Sequence, residues 1–598
     1  MKKTSKQAYK TNWDLGLLFS GENDPRIEKG LKAVEDFSTA FEKKYRGKPF
    51  TKSPKALKVP LDEYIDFEKK NSMAEKAICY FYYRKHLDSD DNIASAFMTK
   101  IGNRMTLAGN KVAFFYIEIS KIPASRQKIF LNDRGLSAYR YMLKKMFDNA
   151  KYLLSEKEEQ LTSLLSNTSY SMWIDGQEKL LNQQVVEYRG EKIPIPKAQS
   201  MLSELPKKDR RELHTRLNNV YKSVSHFAEA EINAIYNFKK VIDERRGMKE
   251  PYSGTVLSYE NDEKTVEMLV KIVTENFKIS QRFYKLHAKL LGEKIITMAD
   301  RNTKIGKIEK KFDFKTSVDI VGRIFTSIGP KYGDIFNQIL NNGQVDVFPK
   351  KGKQGGAYCS SGYDMPTFLL LNHVDELRSL ETLAHEMGHA VHAELSKDQP
   401  IMYQGQTIST AEVASTFFEQ VVMSEIESHL SVDDKIILLH NRILGDISTI
   451  FVQITCFNFE LELHKKIRKE GQLPKEEIAK LLNKHRKAYL GEVVKVTDDD
   501  GYFFVNWSHI RRFFYVYSYA YGQIISRALF ENWMKDKSYI KKVEQFLSAG
   551  CSDSPENIFK KAGIDSSNPK FFEAGLKSIE RDIDELEKLT KNWKTKAK

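Results

Sequence analysis

The chain has only four cysteines in 598 residues, Cys79, Cys359, Cys456 and Cys551, and none of them forms a C-x-x-C pair. That argues against a disulfide framework and a thiolate metal site, and it fits a reducing compartment. No run of about 18 apolar residues occurs, so a membrane-spanning helix is not expected. The opening stretch, MKKTSKQAYKTNWDLG, is basic but has no apolar core of a secretory signal, which makes a cytoplasmic location the expectation. Internal repeats and low-complexity tracts are absent, which disfavours a solenoid. The glycines form neither G-x-x-x-x-G-K-[ST] nor G-x-G-x-x-G, so a nucleotide cradle is not expected. Charge of one sign is not lacking overall, with 95 basic against 80 acidic residues and a net +15, but the two signs are mixed. KIEKKFDFK at Lys307 to Lys315 carries both, and the basic end Lys591 to Lys598 follows the acidic-rich Glu580 to Glu587. A solvated lysine-rich surface is the reading, with no nucleic-acid or membrane partner.

What is present is an HExxH pentapeptide, His385, Glu386 and His389, inside a helical pattern from Leu380 to Glu394. Residues four apart share one helix face, so both imidazoles can reach a single Zn²⁺ while Glu386 sits beside its water. Zinc lowers the pKa of that water to about 7, and Glu386 can take its proton and pass it to a leaving amine. Leu383, Ala384, Met387, Ala390 and Val391 supply the buried positions, and Gly388 gives room for close packing. The metzincin continuation would need Gly at 392 and His at 395, where the chain has His392 and Leu395, so that class is excluded. A third ligand is sought downstream in ISTAEVASTFFE, Ile408 to Glu419, where Glu412 and Glu419 fall on one face of a helix. Glu412 is the better candidate for ligand; Glu419 is placed to accept a hydrogen bond from a ligand imidazole and fix its orientation.

HEMGHAVH, then Gln399 and Pro400, then AEVAST from Ala411 to Thr416 resemble the oligoendopeptidase F branch of the thimet oligopeptidase (M3) family of zinc metallopeptidases. The resemblance implies one zinc per chain on His385, His389 and Glu412, Glu386 as general base, and His392 as support for the ligands. WDL at Trp13 to Leu15, LSEKEE from Leu154 and ERRGM at Glu244 to Met248 are similar to other segments of the family.

Along the chain, amphipathic spacing predicts helices over Leu31 to Tyr45, Met73 to His86 and a long one over Leu136 to Ser169, where Ser155 and Glu158 form a capping box. QQVVEYRGEKIPIP alternates about Arg189 and Gly190 and predicts a hairpin ended by Pro194 and Pro196. A division follows near residue 200: an N-terminal helical domain over 1–200, oligoendopeptidase F-like from about 115 by resemblance, and a catalytic domain over 201–598. Helices are expected again from Lys207 through Arg246 and from Asp262 to Leu291. Two short strands, Val345 to Phe348 and Thr367 to Leu371, flank a loop with Gly352, Gly355, Gly356 and Gly362. A strand feeding into the HExxH helix could pair with an extended peptide, and the family uses this segment so. The resemblance makes Gly355, Gly356, Ala357 and Tyr358 a mobile substrate-binding loop. His373 reads as a loop or packing histidine.

HIRRFFYVYSYAYG, His509 to Gly522, has four tyrosines and reads either as an aromatic core helix or as donors to an oxyanion. By resemblance His509 and Tyr517 are catalytic, and Tyr515 and Tyr519 bind substrate. Asp498 to Gly501 reads as a turn, and Leu576 to Lys598 as an amphipathic helix with a frayed end. The expectation is a mainly α metallopeptidase with a small β-sheet beside the HExxH helix and a deep central channel, acting on short peptides, monomeric or weakly homo-oligomeric. The rivals are a carboxypeptidase or dipeptidyl peptidase on the same fold, and a noncatalytic basic binding protein with a relict zinc site.

Overall fold

The computed structural model describes residues 9–593; the frayed end expected at Lys594 to Lys598 lies outside them. Its elements are overwhelmingly helical, with only short strands between them. Packing divides the chain into two compact units, each built from three stretches. One takes the residues up to Glu156, Lys310–Glu425 and Leu529–Gly563; the other takes Lys157–Glu309, Ile426–Ala528 and the residues from Ile564. These units interleave along the sequence, whereas the division at residue 200 is a sequential one. Among the described residues no helix is long and apolar enough to cross a membrane.

The first unit begins with three mutually packed helices, Pro25–Tyr45, Pro54–Leu87 and Asn92–Ser120. Asp24, Ser53 and Asp91 cap their N-termini by accepting backbone N–H groups, and proline occupies the first turn of the first two. Their shared interior is aromatic: Phe41 meets Phe115 edge-on at 5.2 Å and Tyr64 stacks on Phe115 at 5.2 Å. Trp13 ties the leading segment to the sheet, its indole N–H donating to the carbonyls of Gln344 and Leu369 at 3.1 and 2.8 Å.

That sheet has three strands, not two, in the order Val345–Asp346, Phe368–Leu370, Tyr358–Ser360. The first pairing is parallel and the second antiparallel, with Cys359 opposite Leu369. Phe368–Leu370, which leads to the HExxH helix, is therefore the central strand and fully buried, so its backbone groups are spent on its neighbours. The expectation that it offers an edge to a peptide is corrected: the edge beside it belongs to Tyr358–Ser360, inside the stretch expected to be loop. The HExxH helix itself runs over Leu377–Ser396, with the anticipated apolar positions buried.

In the second unit, Val185–Tyr188 and Glu191–Pro194 form the expected hairpin, with Arg189 and Gly190 at φ 51° and 82° as a two-residue turn requires. The long helix expected from Leu136 is interrupted: Arg140–Asn149 ends in a short 3₁₀ turn and a new helix starts at Glu156, directly after Ser155. Ser155 thus marks a boundary rather than an interior position. Asp498–Val505 is a 3₁₀ helix, longer than the expected turn, because Thr497 and Asp500 form a reciprocal capping box. The aromatic stretch after His509 is not one helix. Phe513 and Phe514 are left-handed, at φ 43° and 61°, and helix resumes only at Tyr517–Lys535. The C-terminal helix covers Pro569–Leu589, opening earlier than expected under an Asn568 cap.

Candidate active site

The HExxH helix packs directly on the helix Ile408–Glu427, and Gly388 is the reason it can. A Cβ at Gly388 would stand 2.7 Å from Ser415 Cα and 3.1 Å from Ala414 O, so the backbones approach as only glycine allows. This contact brings three donors together. One ligating atom from each of His385, His389 and Glu412 lies within 4.8 Å of the others. Glu412 Oε2 is 3.4 Å from His385 Nε2 and 3.8 Å from His389 Nε2. On the far side of the ring, His385 Nδ1 pairs with Glu419 Oε2 at 2.8 Å, which leaves Nε2 facing Glu412.

The electrostatics fit a divalent cation at this point. Burial pulls His385 down, but the carboxylates of Glu412 and Glu419 reverse it and push it up to about 10. His389 is drawn down by burial to about 4, so its imidazole is neutral. Burial opposes ionisation of Glu412, yet the two histidines hold its carboxyl well below the usual range. An imidazolium clamped between two carboxylates is a place that demands positive charge, and two imidazoles with one carboxylate are donors that zinc prefers.

Glu386 lies against the edge strand. Burial pushes its carboxyl up to about 7, with His385 and the Cys359 backbone N–H opposing and Glu412 adding to the rise. Its Oε2 is enclosed and has no hydrogen-bond partner among the described residues. The Cys359 thiol is raised well above its ordinary value by burial and the nearby Glu386 charge, so it stays protonated.

Gly355 and Gly356 are exposed at the tip of the glycine loop and Ala357 is half-buried. The loop is tethered, not free. Asn372 Nδ2 donates to the carbonyls of Gln354 and Gly356 at 2.9 and 2.7 Å, and Tyr358 OH meets His86 Nδ1 at 3.0 Å. At its base, the Lys353 side chain is wholly buried, paired with Asp346 at 2.7 Å and donating to Phe348 O and Leu371 O. His373 donates from Nε2 to Phe312 O and is a packing residue.

His392 is not where support for the ligands would need it. It is fully buried, both ring nitrogens lack a hydrogen-bond partner among the described residues, and its ring packs on Phe546 at 5.1 Å. One turn beyond His389, the HExxH helix is covered by the helix Ile540–Leu547. Glu381, four residues before His385, lies outside the motif. It pairs with Arg378 at 2.7 Å, and burial with the Glu419 charge pushes it up to about 7. Its i−4 spacing from His385 was the available signal.

In the second unit, His509, Tyr515 and Tyr519 form a half-exposed cluster, with ring centroids 5.5 Å apart for His509–Tyr515 and 5.6 Å for Tyr515–Tyr519. Burial and the Arg512 charge hold His509 below its ordinary value, and burial with the Tyr519 hydroxyl raises Tyr515. Tyr515 therefore keeps its proton and can donate. Tyr517 differs from expectation: it is fully buried, and its hydroxyl donates to Asn261 Oδ1 at 2.9 Å. The left-handed Phe513 and Phe514 precede it, each costing about 1–2 kcal/mol in that conformation.

The sequence model of peptidase family M3 matches residues 206–578, more than half of the chain. The chain belongs to peptidase family M3. A second model, oligopeptidase F, matches residues 118–182. The chain is 27% identical to the oligopeptidase PepF of Bacillus subtilis over 528 residues, covering 85% of this chain and 78% of that one. It is 24% identical to an oligoendopeptidase F homologue of Borreliella burgdorferi over 587 residues, 96% and 98% of the two chains. Among solved structures, the oligoendopeptidase F of Enterococcus faecium has a TM-score of 0.72 at 18% identity, covering 95% of this chain and 99% of that one. A Chlamydophila abortus protein reaches a TM-score of 0.82 at 21% identity, covering 98% and 99%. This M3 metallopeptidase thus shares the fold of the oligoendopeptidase F group along nearly its whole length.

Proposed function

We propose that the chain is a zinc-dependent oligoendopeptidase that hydrolyses internal bonds of short, unstructured peptides. The observation that carries this is the enclosed, unpartnered Oε2 of Glu386 beside the His385, His389 and Glu412 donors. Those three residues would hold one zinc ion, which when bound supplies Lewis acidity to a water and to a scissile carbonyl. Glu386 takes the proton of the attacking water on the unpartnered Oε2 and delivers it to the leaving amine. Glu419 fixes the His385 ring by accepting from Nδ1. His509, with Tyr515 and Tyr519, donates to the developing oxyanion; the burial of Tyr517 favours these two phenols over it. The edge strand Tyr358–Ser360 and the exposed Gly355–Gly356 tip receive the substrate backbone.

The sequential division near residue 200 is retained as the functional one, supported by the two family models falling on either side of it. A cytoplasmic location is supported by the four free thiols. We read the protein as a monomer or weak homo-oligomer without nucleic-acid or membrane partners.

The test is digestion of a mixed peptide library, about 5 to 20 residues long, with products read by mass spectrometry. Internal cuts are expected. Release of C-terminal residues alone would replace this reading with a carboxypeptidase.

A further inference from the structure

Phe513 and Phe514 carry a conformation that phenylalanine avoids, twice in succession, immediately before Tyr515. Such strain persists only where the surroundings over-determine it. Here they do so group by group. The carbonyl of Ile510 accepts from Tyr236 OH at 3.0 Å, that of Arg511 from Tyr170 OH, and that of Phe513 from Thr255 Oγ1 at 2.7 Å. The Phe514 N–H donates to both carboxyl oxygens of Glu460 at 3.0 Å. Arg511 is fixed as well, its guanidinium pairing with Glu231 through two bonds of 2.7 Å and donating to the carbonyls of Phe504 and Trp507.

Glu460 is the unusual member. It is fully buried, and no arginine or lysine is bonded to it among the described residues; His464 Nε2 lies 3.8 Å from its Oε1, and Lys239 acts on it only through its charge. Burial pushes its carboxyl well above the ordinary range, with the Phe514 N–H opposing. A buried acid that serves one backbone amide is expensive to keep for packing alone, since an apolar side chain would fill the same space. The residues it restrains join His509 to Tyr515, so the turn fixes the distance between those rings.

We infer that Glu460, with Thr255, Tyr170 and Tyr236, forms a cradle of positioning residues that imposes the left-handed Phe513–Phe514 turn and so sets His509 against Tyr515 and Tyr519 for the reaction. This rests on the reading above, in which that cluster meets the oxyanion. The cradle touches neither substrate nor metal. Its contribution is the placement of donors, where a displacement of about 1 Å can cost on the order of a hundredfold in rate.

The test compares zinc-loaded full-length wild type with E460L, E460Q, T255V, T255S and E386Q on one quenched fluorescent peptide. Zinc content, thermal midpoint, kcat and KM are measured for each. E460L and T255V are expected to lose at least about tenfold in kcat, with KM within about threefold and zinc unchanged. E460Q and T255S restore the acceptor and the donor and are expected to return kcat to within about threefold of wild type. T255V removes one half-exposed hydroxyl without changing shape, so it decides the matter should E460L fail to fold. Wild-type kcat in folded T255V and E460L, whatever their thermal midpoints, overturns the cradle. An active wild type with E386Q equally active overturns instead the assignment of the base, independently of the cradle variants.

Discussion

Ser415 Cα stands 2.7 Å from the point where a β-carbon on Gly388 would be, and this near-contact of two backbones holds Glu412 beside the two histidines. Neither backbone is the flexible end of a side chain, so Gly388→Ala must force the helices apart. The expected cost is about 1–3 kcal/mol of stability, read as a lowered thermal midpoint. Separation also moves Glu412 away from His385 and His389, so zinc affinity measured by chelator competition is expected to fall at least about tenfold. An alanine variant with unchanged zinc affinity would show that the close approach does not set the ligand geometry.

Glu419 accepts a hydrogen bond from His385 Nδ1 at 2.8 Å. Glu419→Ala removes the acceptor for Nδ1–H and frees the ring, and the expected loss is about 10–100-fold in zinc affinity with little change in helical content. Chelator competition at fixed pH measures it. If affinity is unaltered, the hydrogen bond is a packing feature only.

How much of this was visible in the sequence differs from residue to residue. His385, Glu386 and His389 are read from helical spacing together with the apolar positions around them, and the seven-residue separation of Glu412 and Glu419 puts both on one face. Local pattern could not show that Tyr358–Ser360 becomes the edge strand, because its pairing with Phe368–Leu370 is decided across the intervening loop. His392 shares a helix face with His385, yet Phe546 covers that turn, and a periodicity argument carries no information on what covers a face. The left-handed Phe513 and Phe514 run against the preference for glycine or asparagine, so tertiary contacts from Thr255 and Glu460 overrule what the residues themselves favour.

Lys353 places a cation inside the protein. Its ammonium is wholly enclosed with Asp346, and Lys353→Met would leave that buried carboxylate with only the longer, exposed Lys350 ion pair at 3.7 Å. A loss of about 3–5 kcal/mol is expected, with faster proteolysis between residues 350 and 357. The double variant with Asp346→Asn is expected to recover part of the loss, since no charge is then stranded. Equal stability of the single and double variants would contradict the pairing.

Asp500 gives a pH signature. Burial opposes its ionisation, but His214, the Thr497 backbone N–H and the Thr497 hydroxyl hold its carboxyl well below its ordinary value of 3.8. A depressed pKa in the folded state contributes stability that is fully present above 3.8 and is lost as pH falls through the folded value. Asp500→Asn is therefore expected to cost roughly 2–3 kcal/mol near neutrality and to flatten the loss of stability below pH 3.8. Thermal midpoints of both proteins across that range test it; parallel curves would assign the acid sensitivity to other carboxyls.

One comparison separates the proton transfer proposed for Glu386 from the metal binding proposed for His385, His389 and Glu412. Wild type and Glu386→Gln are each loaded with zinc, their metal content determined, and their turnover of one unstructured peptide measured. The account predicts equal zinc in both and a fall in kcat of at least about a hundredfold in the variant. Equal zinc with turnover undiminished would contradict it, and the base would have to be sought elsewhere.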